Sequence, residues 1–495
     1  MAEQFRRLVI FELANNHQGN MSHAEYIIEK LAEKSAAYDF NFAIKLQYRD
    51  IDSFIHPDFV SRNDIKHIPR FLSTRLSKDD FGQLVKKIKS VGMIAMCTPF
   101  DEVSVDLCAE HEIEILKVAS CSSNDWPLLE KIAQAGKPII ISTGGKTLQQ
   151  IDNIYNFFTH RNCDFAMLHC IGLYPPKNSQ IRLGAIDKMR NRYPNISIGW
   201  SGHENPDNYI ISQMALAKGA DIFERHVGHT TETIQLNAYS SEVDNINGWL
   251  DALQAANEIC TQNNVFVPEK SEIDSLCELE RGCFAKSPIK FGEIITADKV
   301  FFAMPLQEGQ TTSGVYLPTM EASRDYAYGE PIRENRPYSL ARNIRSIVHD
   351  IKSMLYEAKI VIPDTFELEL SHHFGVDDFR NHGCSIISVV NREYCKKIIV
   401  VLPGQYNPNH FHRLKEETFQ VLSGVLKLFV GGQGLEFCAG EIYTVEREIR
   451  HAFTSETGCI FEEISTTHIR NDSFYDDPVI AKRDALERKT ILENW

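Results

Sequence analysis

The sequence has no apolar run near the roughly 18 residues a membrane span requires, no C-x-x-C pair among its 12 cysteines and no basic excess. The first absence predicts that no part of the chain lies in a membrane. The opening "MAEQFRRLVIFEL" also lacks the long apolar core and small-residue cleavage site of a secretory signal, so the expected location is cytoplasmic. Unpaired cysteine spacing in a chain of 495 residues predicts reduced thiols rather than a disulfide framework. Cys97, Cys121 and Cys170 fall near strand ends and are expected to be packing residues. A formal charge of −15 excludes sheathing of a nucleic-acid backbone. It leaves room for a small anionic substrate, because a buried Lys/Arg cluster can oppose the overall field locally. What is present is ordinary globular usage, 43% hydrophobic and 24% charged, in a chain long enough for about three domains.

To about residue 260, short β-like runs alternate with amphipathic segments. The strand candidates are "RLVIFEL", "FAIKLQY", "MIAMCT", "EILKVAS", "PIIIST", "DFAMLHC", "ISIGWS" and "DIFERHV". Patterns such as "HAEYIIEKLAEKSAAY" and "DDFGQLVKKIKSVG" separate them, several closing on glycine. Eightfold β-α alternation predicts a (β/α)8 TIM barrel over residues 1–262. Residues 263–280 read as a polar linker helix, 281–340 as a small β-rich module, and 341–470 as an all-β jelly-roll-like barrel. Residues 471–495 form a charged tail, expected to be helical.

In a barrel enzyme, reacting groups sit at the C-terminal strand ends. Strand one ends in Glu12, and strand two carries Lys45 and Gln47 on one face. The later strands reach Thr98, then Lys117 and Ser120, Ser142, His169 and Tyr174, Ser201 and His203, and Glu224 and His226. A lone strand-end histidine is ordinarily a hydrogen-bonded packing residue. The set argues otherwise: His203 and His226 lie on neighbouring strands and can share one ion, open to water or substrate oxygens. Lys117, Ser120, Thr98, Ser142 and Ser201 supply donors for an oxyanion or phosphate.

The ordered motifs "FELANNHQGN", "KLQY", "CTPFD", "KVASCSSNDWPLLEKIAQAGKPIIISTGG", "LHCIGLYP", "GWSGHE" and "FERHVG" resemble the sialic acid (nonulosonate) synthase family. "RGCFAKSPIKFGEIITADKV" is similar to that family's antifreeze-like, or SAF, domain. The resemblance implies condensation of phosphoenolpyruvate with an open-chain amino-sugar aldehyde to a 3-deoxy-2-keto nonulosonic acid and phosphate. It implies Mn2+ or Mg2+ on His203 and His226, catalysis by these with Glu12 and Lys45, and phosphoenolpyruvate on Thr98, Lys117, Ser120, Ser142 and Ser201. Gln47, Tyr174 and Arg281 would face the sugar, Arg281 from the neighbouring subunit of a domain-swapped homodimer. Leu236 stands where N-acetylneuraminate-forming relatives have Asp, Leu173 replaces an Asn, and Cys121–Ser122 replace Gly and an acid. Tyr239–Ser240 is closer to the pseudaminate-type branch. Two alternatives stand beside this reading: a ketodeoxyoctonate-type phosphoenolpyruvate synthase, and a non-catalytic sugar-binding protein.

"GQYNPNHFHRLKEETFQVLSG" resembles the first cupin pattern, and Gly440 with His451 marks a degraded second one. The resemblance implies a second divalent metal held by His410, His412, Glu417 and His451. "HFHRLKEE" is similar to metal-dependent sugar isomerases of the lyxose type, with Lys415 near the ion. The module is expected to be an isomerase or epimerase, or a sensor of product; the bland alternative is a metal-free dimerisation module. His372, His373 and His382 are expected in loops or on the surface.

Overall fold

The computed structural model describes residues 3–260, 268–493 and 495. The chain divides into two units, Met1–Phe266 and Val267–Trp495. In the first unit, eight parallel strands close on themselves: β1 Leu8–Glu12, β2 Asn41–Tyr48, β3 Ile94–Pro99, β4 Ile115–Val118, β5 Ile139–Ser142, β6 Phe165–Cys170, β7 Ile198–Gly202 and β8 Ile222–Gly228. They pair in sequence order and β1 pairs with β8, so the barrel is shut; β9 Ser241–Glu242 adds to β8.

Strand alternation sorts the side chains into two layers. One parity points outward: Val9, Phe11, Ile44, Leu46, Ala95, Cys97, Leu116 and Ile141 pack under helices such as Met21–Ser35 and Lys78–Ser90. The other parity fills the barrel, and its lower layer is apolar, built from Leu8, Ile10, Ala43, Met96, Ile115, Ile140, Ala166, Leu168 and Ile222. Two residues further along the same faces stand Glu12, Lys45, Thr98, Lys117, Ser142 and Glu224, all buried. The ionic layer therefore rests on a dry floor at the C-terminal strand ends. Between β2 and β3 the chain makes an excursion with helices Ile51–Phe54 and Ile68–Ser73, anchored by a small cluster of Ile51, Ile55 and Ile68.

In the second unit, Lys270–Cys277 is helical; residues 263–267 of the expected linker lie outside the described residues. The strands β10 Gly282–Ala285 and β11 Val300–Ala303 pair antiparallel around a core of Cys283, Ile289, Ile295, Val300, Tyr326 and Ile332. Next comes an 18-residue helix, Leu340–Glu357, which corrects the expectation that the all-β barrel begins at residue 341. Ile347, Val348, Ile351 and Leu355 recur at helical spacing and pack on Leu368, Leu370, Ile387, Ile398 and Val400.

Those residues belong to an antiparallel barrel: β12 Glu367–His372, β13 Gly383–Asn391, β14 Tyr394–Val401, β15 Tyr406–His412, β16 Glu417–Val430, β17 Gln433–Cys438, β18 Ile442–Val445, β19 His451–Thr454, β20 Cys459–Thr466, β21 Ser473–Tyr475 and β22 Lys489–Glu493. Its interior face carries Ile399, Val401, Phe419, Val421, Phe453 and Phe461. The expected helical tail is corrected: only Pro478–Lys482 is helical, while β21 pairs with β15 and β22 with β12. Gly424 sits at φ +79°, and a Cβ there would lie 2.3 Å from the Gly458 carbonyl oxygen, so this position takes no side chain.

Candidate functional sites in the two barrels

A cavity of about 630 Å³ opens above the ionic layer of the parallel barrel. Of the sequence-predicted strand-end residues, Glu12, Lys45, Gln47, Thr98, Lys117, Ser120, Ser142, Tyr174, Ser201, His203, Glu224 and His226 line it, and His169 does not. Lys45 Nζ lies 2.5 Å from Glu12 Oε2 and 2.7 Å from Glu224 Oε2. Glu224 also accepts a hydrogen bond from Ser201 Oγ at 2.8 Å and stands 3.8 Å from Lys117 Nζ, which donates to Ser142 Oγ. Glu224 is thus the hub of the layer, a role its strand-end position did not reveal.

The two carboxylates are driven apart. Burial opposes the charge of both, but Lys117 and Lys45 together hold Glu224 well below the usual carboxylate range, whereas Glu12 is raised by burial against the opposing charge of Lys45. Lys117 is lowered to about 8 by burial, partly offset by Glu224. Such a split separates the proton affinities of two carboxylates within one cluster. Ser120 Oγ accepts from the Gly144 backbone N–H at 2.9 Å; a Cβ on Gly144 would stand 2.7 Å from that oxygen, so Gly144 sets the position of Ser120. The Thr98 hydroxyl is buried and without a partner, which marks a donor waiting for a ligand.

The rings of His203 and His226 converge, with centroids 5.3 Å apart. His203 donates from Nδ1 to the Ile171 carbonyl at 3.0 Å, which leaves its Nε2 lone pair free. Burial lowers both rings first, to about 4 for His203 and about 3 for His226, so both are neutral donors at ordinary pH. Tyr174 and Tyr239 flank the pair, 4.1 Å from His203 and 5.1 Å from His226 respectively. Two neutral imidazoles beside an open cavity fit a divalent cation that completes its shell with water or substrate oxygens.

Two readings change. His169 has outward parity, and its Nε2 donates to the Ile181 carbonyl at 2.8 Å, so it is a packing residue of the helix layer. Cys170 points inward, and Cys121 is exposed; both line the cavity rather than the core. Arg281 precedes β10 in the second unit, is exposed, and is not among the residues lining the cavity. All 12 cysteines are unpaired.

In the antiparallel barrel, His410, His412, Glu417 and His451 are buried with ligand atoms within 4.8 Å of one another. Each ring is fixed from behind: Nδ1 of His410 donates to Pro408 O at 2.9 Å, that of His412 to Asp472 O at 2.7 Å, and that of His451 to Ile449 O at 3.1 Å. The three Nε2 atoms are therefore bare lone pairs. His451 Nε2 stands 3.1 Å from Glu417 Oε2, and neither atom has a hydrogen-bond partner. Two facing buried acceptors without a proton between them are an arrangement that a cation resolves, so this donor set fits a divalent metal. Lys415 Nζ contacts Glu417 and lies 3.1 Å from Glu463, which Lys397 also approaches at 3.3 Å. These groups face a cavity of about 420 Å³. His372 and His373 are buried, contrary to the surface reading: His373 Nε2 donates to Asn407 Oδ1 at 3.0 Å and its ring lies tilted against Tyr475, centroids 4.9 Å apart. A third group, His229 with Glu242 and Asp244, is partly exposed on the rim of the parallel barrel, and His229 Nδ1 and Glu242 Oε1 already satisfy each other in a hydrogen bond of 2.8 Å.

The closed parallel barrel with reacting groups at its C-terminal rim defines an enzyme of the (β/α)8 class. The NeuB family model matches residues 33–262, and the cupin domain model matches residues 397–461. A solved structure of a spore coat polysaccharide biosynthesis protein E from Chromobacterium violaceum is 41% identical, with 66% of this chain and 98% of that chain covered and a TM-score of 0.62. The pseudaminic acid synthase of Campylobacter jejuni is 25% identical over 66% of this chain and 95% of its own length. The N-acetylneuraminate-9-phosphate synthase of Drosophila melanogaster is 31% identical over 44% of this chain, which spans 59% of the fly protein. The chain belongs to the NeuB family, a family of synthases, and carries a C-terminal cupin. No helix among the described residues is long and apolar enough to cross a membrane.

Proposed function

We propose that the parallel barrel condenses phosphoenolpyruvate with an open-chain N-acyl hexosamine-type aldehyde, giving a 3-deoxy-2-keto nonulosonate and phosphate. One observation carries the reading: cationic, hydroxyl and imidazole groups from seven different strands or their following loops converge on one cavity, with the Thr98 hydroxyl unpartnered. Lys117, Ser120, Ser142, Ser201 and Thr98 hold the phosphate and carboxylate of phosphoenolpyruvate. His203 and His226 would hold a divalent cation, Mn2+ or Mg2+, which when bound supplies Lewis-acid polarisation of the aldehyde carbonyl. The C2=C3 electron pair of phosphoenolpyruvate forms the new bond from C3 to the aldehyde carbon, the aldehyde oxygen takes up one proton to become a hydroxyl, and water adds at the electron-poor C2 that remains. Glu12, whose proton affinity burial raises, takes one proton of that water as a carboxylate while Lys45 steadies it; the C2 hydroxyl then gives up its proton as C2 becomes the ketone, and phosphate leaves with the C2–O electron pair. Gln47 donates to Glu12 Oε1 at 3.3 Å and, with Tyr174, faces the sugar. Arg281, exposed in the second unit, is assigned to a neighbouring copy's cavity in a homodimer.

The cupin is assigned a divalent metal and a sugar, as an isomerase or epimerase that prepares substrate or as a sensor of product. The Lys415–Glu463 pair beside the donor set supports a site that moves or senses protons on a bound polyol. The named relatives form both phosphorylated and unphosphorylated products, so their names do not choose the aldose.

Incubation with phosphoenolpyruvate, Mn2+ and a panel of free and phosphorylated N-acyl hexosamines should release phosphate together with a new 2-keto acid. Phosphate without a 2-keto acid would mean hydrolysis and end the reading. His226→Ala should lower the rate by at least about 10³-fold with the fold unchanged by circular dichroism; retained turnover in metal-free buffer counts against the assignment.

The depressed pKa of Lys117 adds a pH signature. The lysine is cationic below about 8 and loses its charge as pH rises through that value. Phosphoenolpyruvate binding should therefore be flat below this point and weaken by up to about tenfold per pH unit above it. Titration calorimetry in two buffers of different ionisation enthalpy should show proton uptake on binding near pH 9, and Lys117→Arg should abolish that uptake.

A further inference from the structure

Five cationic side chains and two carboxylates line the barrel cavity. At the inner end, Lys45 and Lys117 are matched by Glu12 and Glu224. The unmatched cations are Arg49, Lys66 and Arg70, all from the excursion between β2 and β3. None of the four acids of the segment from Arg49 to Arg70 pairs with Lys66 or Arg70: Asp64 pairs with Arg62 and Asp52 with Arg75, Asp58 lies 3.8 Å from His56, and Asp50 accepts from the Ser53 hydroxyl. Lys66 and Arg70 have no hydrogen-bond or ion-pair partner for their side chains among the described residues, in a chain of net charge −15.

Arg49 is built in rather than left loose. Its guanidinium lies 3.6 Å from the Phe100 ring centroid and 4.2 Å from that of Phe71. One Nη donates to Gln47 Oε1 at 2.9 Å, whereas Nε is buried without a partner. Gln47 in turn bonds Glu12, so Arg49 stands one residue removed from the ionic layer on the sugar-facing side. Arg70 lines the same cavity as His226. A planar guanidinium with a free edge, backed by a second guanidinium and an ammonium, matches a multidentate tetrahedral anion better than a hydroxyl-rich neutral chain.

We propose that Arg49, Lys66 and Arg70 form a second anion subsite, and that the aldehyde taken by this barrel carries a phosphomonoester at the end remote from its carbonyl. This rests on the condensation reading, with phosphoenolpyruvate at Lys117, Ser120 and Ser142. The excursion is then the specificity element: the inner layer serves the shared chemistry, and the segment from Arg49 to Arg70 selects the charged tail.

The test compares KM for N-acyl hexosamines, their 6-phosphates and the corresponding uronates, in the wild type and in Lys66→Gln/Arg70→Gln. In the wild type the 6-phosphate should have a KM about ten- to hundredfold below that of the free sugar. The double variant should lose most of that advantage, while KM for phosphoenolpyruvate stays within about twofold. Equal KM values for free and phosphorylated sugar, a uronate preferred over the phosphate, or a loss that falls on phosphoenolpyruvate instead, would each overturn the subsite. If no aldehyde consumes phosphoenolpyruvate, the condensation reading fails by itself, and thermal-shift titration still decides the subsite. There the 6-phosphate should stabilise the wild type more than the free sugar does, and should not do so in the double variant; equal stabilisation overturns it.

Discussion

Replacing Lys45 with methionine should destabilise the first unit by about 3–5 kcal/mol and abolish turnover, because it strands two buried carboxylates. Lys45 is 3% exposed and bridges Glu12 and Glu224, which are equally shielded from water. Lys117, 3.8 Å from Glu224, cannot neutralise both. Adding Glu12→Gln should restore most of the lost stability without restoring turnover, since it removes the orphaned charge together with the proton acceptor. The pH dependence carries a sign. Burial raises Glu12 in the folded state, so the fold binds a proton more tightly than the unfolded chain does. Stability of the single variant should therefore be greatest below the unfolded-chain value, be lost as pH rises towards and through the folded-state value, and level off above it. Denaturant melts across pH give the answer; a Lys45→Met protein within about 1 kcal/mol of wild type would show that the bridge is not what holds the layer together.

The same layer shows how far sequence reasoning reaches. Two-residue alternation places Glu12, Lys45, Lys117 and Glu224 on faces that carry Leu8 and Ile10, Ala43, Ile115 and Ile222 lower down, so the inward parity was legible strand by strand. Applied to β6, the same rule sends His169 outward and Cys170 inward, so parity along the strand outranks the chemistry of the side chain. Arg49, Lys66 and Arg70 lie on an excursion with no strand period, where only the tertiary fold brings them to the cavity.

In the second unit, Ile344, Ile347, Val348, Ile351 and Leu355 recur at helical spacing just before an all-β segment, and the helix they define is legible in that spacing. The tail misled for the opposite reason. "AKRDALERK" is rich in helix formers, but Lys489–Glu493 completes the edge beside β12 and pairing overrides local propensity. The cupin ligands were readable from spacing, because His410 and His412 alternate on β15 and His451 faces His410 across the ladder. What fixes their tautomers was not readable: the carbonyls of Pro408, Ile449 and Asp472 are backbone groups, and Asp472 comes from a segment 60 residues beyond His412.

Those fixed tautomers make the largest expected effect in the cupin a metal effect. With Nδ1 of all three histidines committed to carbonyls, His451 Nε2 and Glu417 Oε2 face each other at 3.1 Å as two acceptors. Without a cation this costs the fold; with one, the same contacts become ligands. The full chain with His226→Ala, which removes one of the two barrel donors, should retain about one equivalent of divalent metal by elemental analysis. Adding His410→Ala and His412→Ala should reduce it to trace. Chelation should lower the melting temperature of the His226→Ala protein, reflecting about 4 kcal/mol of lost linkage at metal a thousandfold above Kd, and should leave the triple variant unmoved. Lys415 supplies a second readout. Its ammonium contacts Glu417 and lies 3.1 Å from Glu463. A cation on Glu417 repels that ammonium towards Glu463, so Glu463→Gln should weaken metal binding even though Glu463 touches none of the three histidine donors. Metal content unchanged by the paired histidine substitutions would leave the cupin as a packing module and remove the sugar-metal assignment with it.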